Sequence, residues 1–337
     1  MPSPTALFRV TIPAGGGDYR VVYFGHATGG DYTDDDFDTD LAQEGAGKVS
    51  FRFDGWTGKD FAPTFTGLLS MFRGSAHFSA LMLQSIARGA AIQLALSSAI
   101  GDALSAPTFS GTLNPAVGRR PKLDTQIYAG GSLGGSVGLV IASIYPNIAG
   151  AVLNDPGAGW THFMPQSVIY SFIDQLLGSP YGTRFDGRLA LAMSQGIWDE
   201  FDGAVWDVPD HPRPVSLIQE SMGDPVLPNI GSDLLASALG AVQLGGVLEP
   251  ISGLTTTLMP THQTAITQYR VPASIGDYKV HGFVECDNVA ATAAHAQIID
   301  FVRSVWNGAP TATVPSGCAA TSDGSCDFSA LVTSCDP

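Results

Sequence analysis

The sequence predicts an α/β fold: a mostly parallel sheet with helices on both faces, an inserted helical cap and a cysteine-containing C-terminal tail. Three observations lead there. Short β-branched and aromatic runs alternate with longer stretches of apolar residues at helical spacing, the pattern of buried parallel strands covered on both sides. The alternation stops between Gly157 and Pro212, where aromatic-rich helical segments intervene, and then resumes. Three of the four cysteines, Cys318, Cys326 and Cys335, fall in a closing Gly/Ser/Asp-rich stretch with little apolar material.

Taken in order, residues 7–12 alternate as a strand does, and residues 20–24 (RVVYF) read as a buried strand leading into the loop Gly25-His-Ala-Thr-Gly-Gly30. Thr33 is placed to cap a helix over 34–44, whose early acidic residues oppose the helix dipole. Residues 49–53 form the next strand, 56–75 show no clean period, and 78–100 carry helical spacing for one long helix or two short ones. A strand at 125–129 runs into glycines, followed by a helix at 133–145 that Pro146 stops and a short strand at 148–153. Helical segments at 168–177 and 189–198 belong to the cap. Beyond it come a strand at 215–219, a helix at 233–239, the last strand at 265–271 and a closing helix at 290–306. The expected division is 1–156 and 213–308 for the two parts of the core, 157–212 for the cap and 309–337 for the tail.

Composition narrows the partners. With 337 residues, 45% of them hydrophobic, the chain has ample material for a core. Sixteen basic against 31 acidic residues give a net charge of −15, which repels nucleic acid and anionic membranes. The longest apolar stretches, 94–100 and 137–142, break well before the roughly 18 residues of a span, so no transmembrane helix is expected. The tail cannot make a core of its own, and disulfides would supply the constraint. That implies an oxidising, secreted or periplasmic setting. Cys286 is the fourth partner and three pairings are open. A zinc clip is disfavoured because the tail has no C-x-x-C pair and no histidine. No basic and apolar leader opens the chain, so export would imply that one has been removed.

The chemistry is carried by Gly130-Gly-Ser132-Leu-Gly134, a G-x-S-x-G between strand and helix. A serine on so tight a turn leaves room only for residues without side chains on either side, and its hydroxyl is lifted from the sheet. The segment resembles the nucleophile elbow of the α/β-hydrolase superfamily, and the order of elements is similar over most of residues 6–306, more loosely to secreted bacterial esterases and lipases. The resemblance implies Ser132 as nucleophile, an acid after the strand that follows the cap and a histidine after the last strand. Asp224, in the Gly-Asp turn after 215–219, fits the acid, with Asp155 after the strand 148–153 in reserve. His281, in a loop, fits the base better than His295, which lies within the closing helix; His262 is more remote still. The oxyanion hole should use the N–H groups of Leu133 and Thr28. Ala27 stands where related lipases carry glycine, and His26 reads as a structural residue of that loop.

The expected function is therefore a serine esterase or lipase, hydrolysing a small or polymeric ester through an acyl-enzyme with neither metal nor organic cofactor. The alternatives are a dienelactone-hydrolase-like or peptidase-like enzyme on the same fold, and an inactive secreted binding module. The aspartates at 34, 35, 36, 38 and 40 lack calcium-loop spacing and read as a solvated helix start. Trp56, Phe61, Phe65, Phe72 and Phe78 fit an acyl pocket or lid, or ordinary core packing.

Overall fold

The predicted runs assemble into a single sheet of ten strands in the order β1-β3-β2-β6-β7-β8-β11-β9-β10, with β12 beside β11. The structure, a computed structural model, describes residues 5–170, 180–206, 212–319 and 323–336. The strands are β1 (Phe8–Thr11), β2 (Tyr19–Gly25), β3 (Ala46–Phe51), a separate hairpin of β4 (Thr108–Phe109) and β5 (Thr112–Leu113), β6 (Pro121–Gly131), β7 (Ile148–Asn154), β8 (Val215–Ser221), β9 (Val242–Leu244), β10 (Thr255–Thr257), β11 (Ala265–Arg270) and β12 (Cys326–Asp327). Within the sheet β1 runs antiparallel to β3, and the other described pairings are parallel. This strand order, with a helix after each central strand, is the α/β-hydrolase fold.

Parallel strands must bury both faces, and strand alternation divides the side chains between two layers. Val21 and Tyr23 of β2 join a core formed with the helices Met71–Leu96 and Leu133–Ile144, while Val22 and Phe24 join Ile298, Phe301 and Val305 of the helix Val289–Trp306. The strand order reverses between β2 and β6. In such sheets the crevice beyond the carboxyl ends at the reversal is where ligands lodge.

Several boundaries differ from expectation for identifiable reasons. The helix predicted over 34–44 spans only Asp38–Gln43. Lys48, buried at 1% exposure, sends its Nζ to the carbonyls of Asp34 (3.0 Å) and Asp36 (2.5 Å) and to Asp38 Oδ1 (2.7 Å), so residues 34–37 wrap an ammonium instead of making a first helical turn. Of the aspartates expected at a solvated helix start, Asp35 is exposed, while Asp38 also pairs with Arg9, and Asp40 with His295. The helix expected at 78–100 begins at Met71 and ends at Leu96, followed by Ala99–Ser105. Its start presents Met71, Gly74 and Ser75 to the core, only the first of them a large apolar residue, so the periodic signal is weak there; a Cβ on Gly74 would lie 2.3 Å from the carbonyl oxygen of Gly67. This 26-residue helix has the length and composition of a bilayer span, but 44% of its most apolar window is buried inside the fold, as in a core helix, and no clear transmembrane span is present among the described residues.

Among the described residues of 157–212, helices span Trp160–Phe163, Arg184–Met193 and Gln195–Trp198, so the segment expected at 189–198 is two helices meeting at the buried Ser194. Most of the helix expected at 168–177 lies outside the described residues. The strand at 265–271 is not the last, since the tail adds β12 against Tyr269 and Arg270. The tail also shares a small core: Cys318, Cys326, Phe328 and Val332 pack with Tyr269 and Phe283. Disulfides join Cys286 to Cys335 and Cys318 to Cys326.

Candidate active site

β6 ends at Gly131 and the next residue, Ser132, takes φ 55° and ψ −116°, a conformation unfavourable for a side chain and tolerated where the surrounding contacts enforce it. Those contacts are visible. The helix from Leu133 presses so closely on the sheet that a Cβ on Gly134 would lie 2.0 Å from the Gly25 carbonyl oxygen, and one on Gly130 would lie 2.6 Å from the Gly134 carbonyl carbon. Two glycines thus permit the turn. Ser132 N–H donates to the Asn154 carbonyl at 2.9 Å, and Ser136 returns both its N–H and its Oγ–H to the Ser132 carbonyl at 2.8 Å. The turn is tied from both sides, leaving the Ser132 side chain at the surface of two cavities.

The larger cavity is a cleft lined by Ser132, Asn154, His281, Glu285 and His295 among others. The smaller lies on the other side of the nucleophile, against Thr28, Leu133, Trp160, Ile169, Tyr170, Val226 and Leu227. Trp160 and Tyr170 were not among the aromatic residues singled out individually. Of those that were, Trp56, Phe65 and Phe78 are buried in the core, Phe61 packs against it, and Phe72 is exposed.

His281 is the last residue of a one-turn helix, Asp277–His281, rather than part of a loop. Its Nδ1 lies 2.5 Å from Asp224 Oδ2. Asp224 is held by its other oxygen, Oδ1, which accepts the N–H groups of Val226 (2.7 Å) and Leu227 (3.0 Å). The carboxylate is therefore fixed by the turn that follows β8, and it fixes the imidazole in turn. Nδ1 carries the proton in this arrangement and Nε2 is left as the acceptor. Ser132 and His281 share the cleft without a direct hydrogen bond; contacts of this kind tighten in the substrate complex.

Asp155 lies beyond β7 at φ 41° and is 2% exposed. Its Oδ1 accepts the Ser221 N–H at 2.5 Å, and its Oδ2 is buried without a partner. Burial, and next the Asp224 charge, push its carboxyl well above the usual carboxylate range. Donor atoms of Asp155, Asp224 and His281 all lie within 4.8 Å of one another. With Nδ1 already spent on Asp224, the trio is a hydrogen-bonded acid–imidazole pair with an adjoining acid rather than a cation cage.

His295 lines the same cleft with both nitrogens engaged: Nδ1 meets Asp40 Oδ2 at 2.7 Å, Nε2 meets the Val284 carbonyl at 2.8 Å, and the ring stacks on Phe37. Burial opposes its charge, but the hydrogen bond and charge of Asp40 outweigh that, and its pKa is raised. His262 sits apart, its Nδ1 on the Pro310 carbonyl. His26 is buried, accepts the Phe53 N–H at Nε2 and therefore donates from Nδ1 to the Ala27 carbonyl; burial lowers its pKa, so it is a neutral strut for the loop. That loop brings Thr28 beside Ser132 and Leu133, where its N–H and that of Leu133 are donated to no other group among the described residues.

No protein-family model matches the sequence, and no curated protein matches it. Solved structures similar in fold include acetyl xylan esterase 1 from Thermoanaerobacterium sp. JW/SL YS485, at 14% identity and TM-score 0.45, covering 79% of this chain and 73% of that one. The 2,6-dihydroxy-pseudo-oxynicotine hydrolase is 13% identical at TM-score 0.47, covering 91% and 67%. An acylaminoacyl peptidase of Pyrococcus horikoshii is 12% identical at TM-score 0.44, covering 88% of this chain but only 39% of the peptidase. At these values the likeness bears on neither activity nor substrate, and the assignment of the chain to the α/β-hydrolase fold rests on its own strand order and its elbow at Ser132.

Proposed function

We propose that the protein is a serine hydrolase that cleaves carboxylic esters through an acyl-enzyme on Ser132. The observation that carries this reading is the strained Ser132 facing the same cleft as His281, whose Nδ1 is held by Asp224. His281 Nε2 takes the Ser132 proton as Oγ attacks the ester carbonyl, and Asp224 orients the ring and offsets the imidazolium charge. The N–H groups of Leu133 and Thr28 receive the oxyanion, a contribution of about 3–4 kcal/mol per donor in comparable sites. The imidazolium then protonates the leaving alcohol, and water, activated by the same nitrogen, releases the acid.

Residues 157–212 act as a cap that supplies Trp160 and Tyr170 to the smaller cavity. That cavity is apolar and narrow, which suits a short acyl group and favours esterase over peptidase. The two disulfides fit an oxidising compartment outside the cytoplasm. Turnover of a p-nitrophenyl ester series from acetate to palmitate, beside an acyl-peptide p-nitroanilide, tests the reading. Short esters should be preferred and Ser132→Ala should lose at least about 10⁴-fold in kcat/KM. Preference for the anilide would favour the peptidase, and full activity of Ser132→Ala would remove the mechanism.

A further inference from the structure

We propose that the larger cleft binds the alcohol half of the ester and selects alcohols that carry a further hydroxyl group, with Oδ1 of Asn154 as the acceptor that reads it. This deepens the role given to Ser132 and His281 above and rests on it. His281 must protonate the departing oxygen, so the alcohol lies on the side that His281 lines, away from the narrow cavity assigned to the acyl group.

Asn154 ends β7, is 6% exposed and lines this cleft beside Gly131 and Ser132. A chain of buried amides fixes its orientation from behind. Gln297 Nε2 donates to the Thr313 carbonyl at 2.8 Å, which turns Gln297 Oε1 toward Gln219. Gln219 Nε2 donates to that oxygen at 2.9 Å and to the Ala294 carbonyl at 3.0 Å, which turns Gln219 Oε1 toward Asn154. Reversing Gln297 or Gln219 would set oxygen against a carbonyl oxygen that can only accept. Asn154 Nδ2 therefore donates to Gln219 Oε1 at 3.2 Å, and its own Oδ1 is left with no donor among the described residues. A Cβ on Gly131 would lie 3.7 Å from that oxygen, which puts it against the cleft wall next to the nucleophile.

Anchoring this chain to β7 uses only the nitrogen of Asn154, so the oxygen is free for a ligand. The polar groups around it are of the same kind. Asp36 and Glu285 line the cleft with carboxyl groups that accept no hydrogen bond among the described residues, whereas both nitrogens of His295 are committed. Desolvation, and next a neighbouring carboxyl, raise the pKa of both acids, which suits a neutral donor better than a cation. A hydroxyl on the alcohol would complement these acceptors. An ether oxygen or a methyl group in its place would desolvate them without a donor.

The test measures kcat/KM by acid release for 2-hydroxyethyl, 2-methoxyethyl, propyl and 2-(trimethylammonio)ethyl acetate, each normalised to its alkaline hydrolysis rate. Wild type, Asn154→Leu and Glu285→Ala are compared, with melting curves to establish folding. Wild type should favour the hydroxyethyl ester about tenfold over the methoxyethyl and propyl esters, the effect of one to two hydrogen bonds. Asn154→Leu should bring that preference to within about twofold, whatever it does to the rate on propyl acetate; a merely structural role would change the rates and leave the preference. Glu285→Ala should lower the preference about threefold. A wild-type preference below about twofold, or one that survives Asn154→Leu, overturns the proposal. So does preference for the trimethylammonio ester, which offers charge without a donor. Should Asn154→Leu fail to fold, Glu285→Ala decides: a reduced preference upholds the proposal and an unchanged one overturns it. The hydrolase reading survives each of these results as long as wild type turns over p-nitrophenyl acetate; without that turnover both readings fall.

Discussion

His281 and His295 line one cleft with Ser132, each hydrogen-bonded through Nδ1 to an aspartate, yet they differ at the second ring nitrogen. His295 gives its second nitrogen to the Val284 carbonyl and stacks on Phe37, so it is held as a charged strut between the helix Val289–Trp306 and the segment around Asp40. His281 sits at the end of a single helical turn, with Asp224 on its Nδ1 and no hydrogen bond to Nε2 among the described residues. An aspartate–histidine pair is therefore not in itself a catalytic feature. What distinguishes the two is whether the far nitrogen remains uncommitted.

The largest effect should come from His281→Ala, which removes the base and should lower kcat/KM by about 10⁴-fold or more, whereas His295→Gln should retain activity within about tenfold; parallel ester assays check both. Gly134→Ala should be comparably damaging, because its Cβ has no room against the Gly25 carbonyl; circular dichroism and the same assay would show misfolding or loss of the elbow. Cys286→Ser with Cys335→Ser releases the segment that carries His281 from the tail. Loss of about 2–4 kcal/mol in denaturant unfolding is expected, together with a fall in kcat.

The smallest effect concerns pH. The folded pKa of His295 is raised, so its pair with Asp40 contributes stability fully below the unfolded histidine value of about 6.5, and that contribution disappears as pH rises through the folded value. The melting-temperature gap between wild type and His295→Gln should therefore be wider at pH 5.5 than at pH 9. A gap independent of pH would show that packing on Phe37, not charge, is what His295 provides.

Much of the fold was legible because parallel strands buried on both faces leave continuous apolar runs, as at residues 20–24 and 148–153, and those runs fall within the observed β2 and β7. The elbow was legible because its chemistry is local: strand, glycine, serine, glycine, helix. What escaped notice depends on distant partners. The late start of the helix at Asp38 follows from Lys48, ten residues on, whose ammonium claims the carbonyls a helical turn would have used. The start of the helix from Met71 gave little signal because after Met71 its core-facing positions are Gly74 and Ser75, and close packing at Gly74 leaves no room for an apolar side chain there. Asp155 and Asp224 are 69 positions apart and meet only because adjacent strand ends bring them together. Likewise the tail looked coreless because its few apolar residues, Phe328 and Val332, find their partners on β11 and on the segment after His281.

The central claim, that Ser132 is activated by His281, is most directly tested by timing its reaction with a fluorophosphonate and mapping the adduct by mass spectrometry. One adduct is expected, on Ser132, formed at similar rates in wild type and His295→Gln and at least about a thousandfold more slowly in His281→Ala. An adduct elsewhere, or labelling of Ser132 that is indifferent to His281 but abolished by His295→Gln, would contradict it.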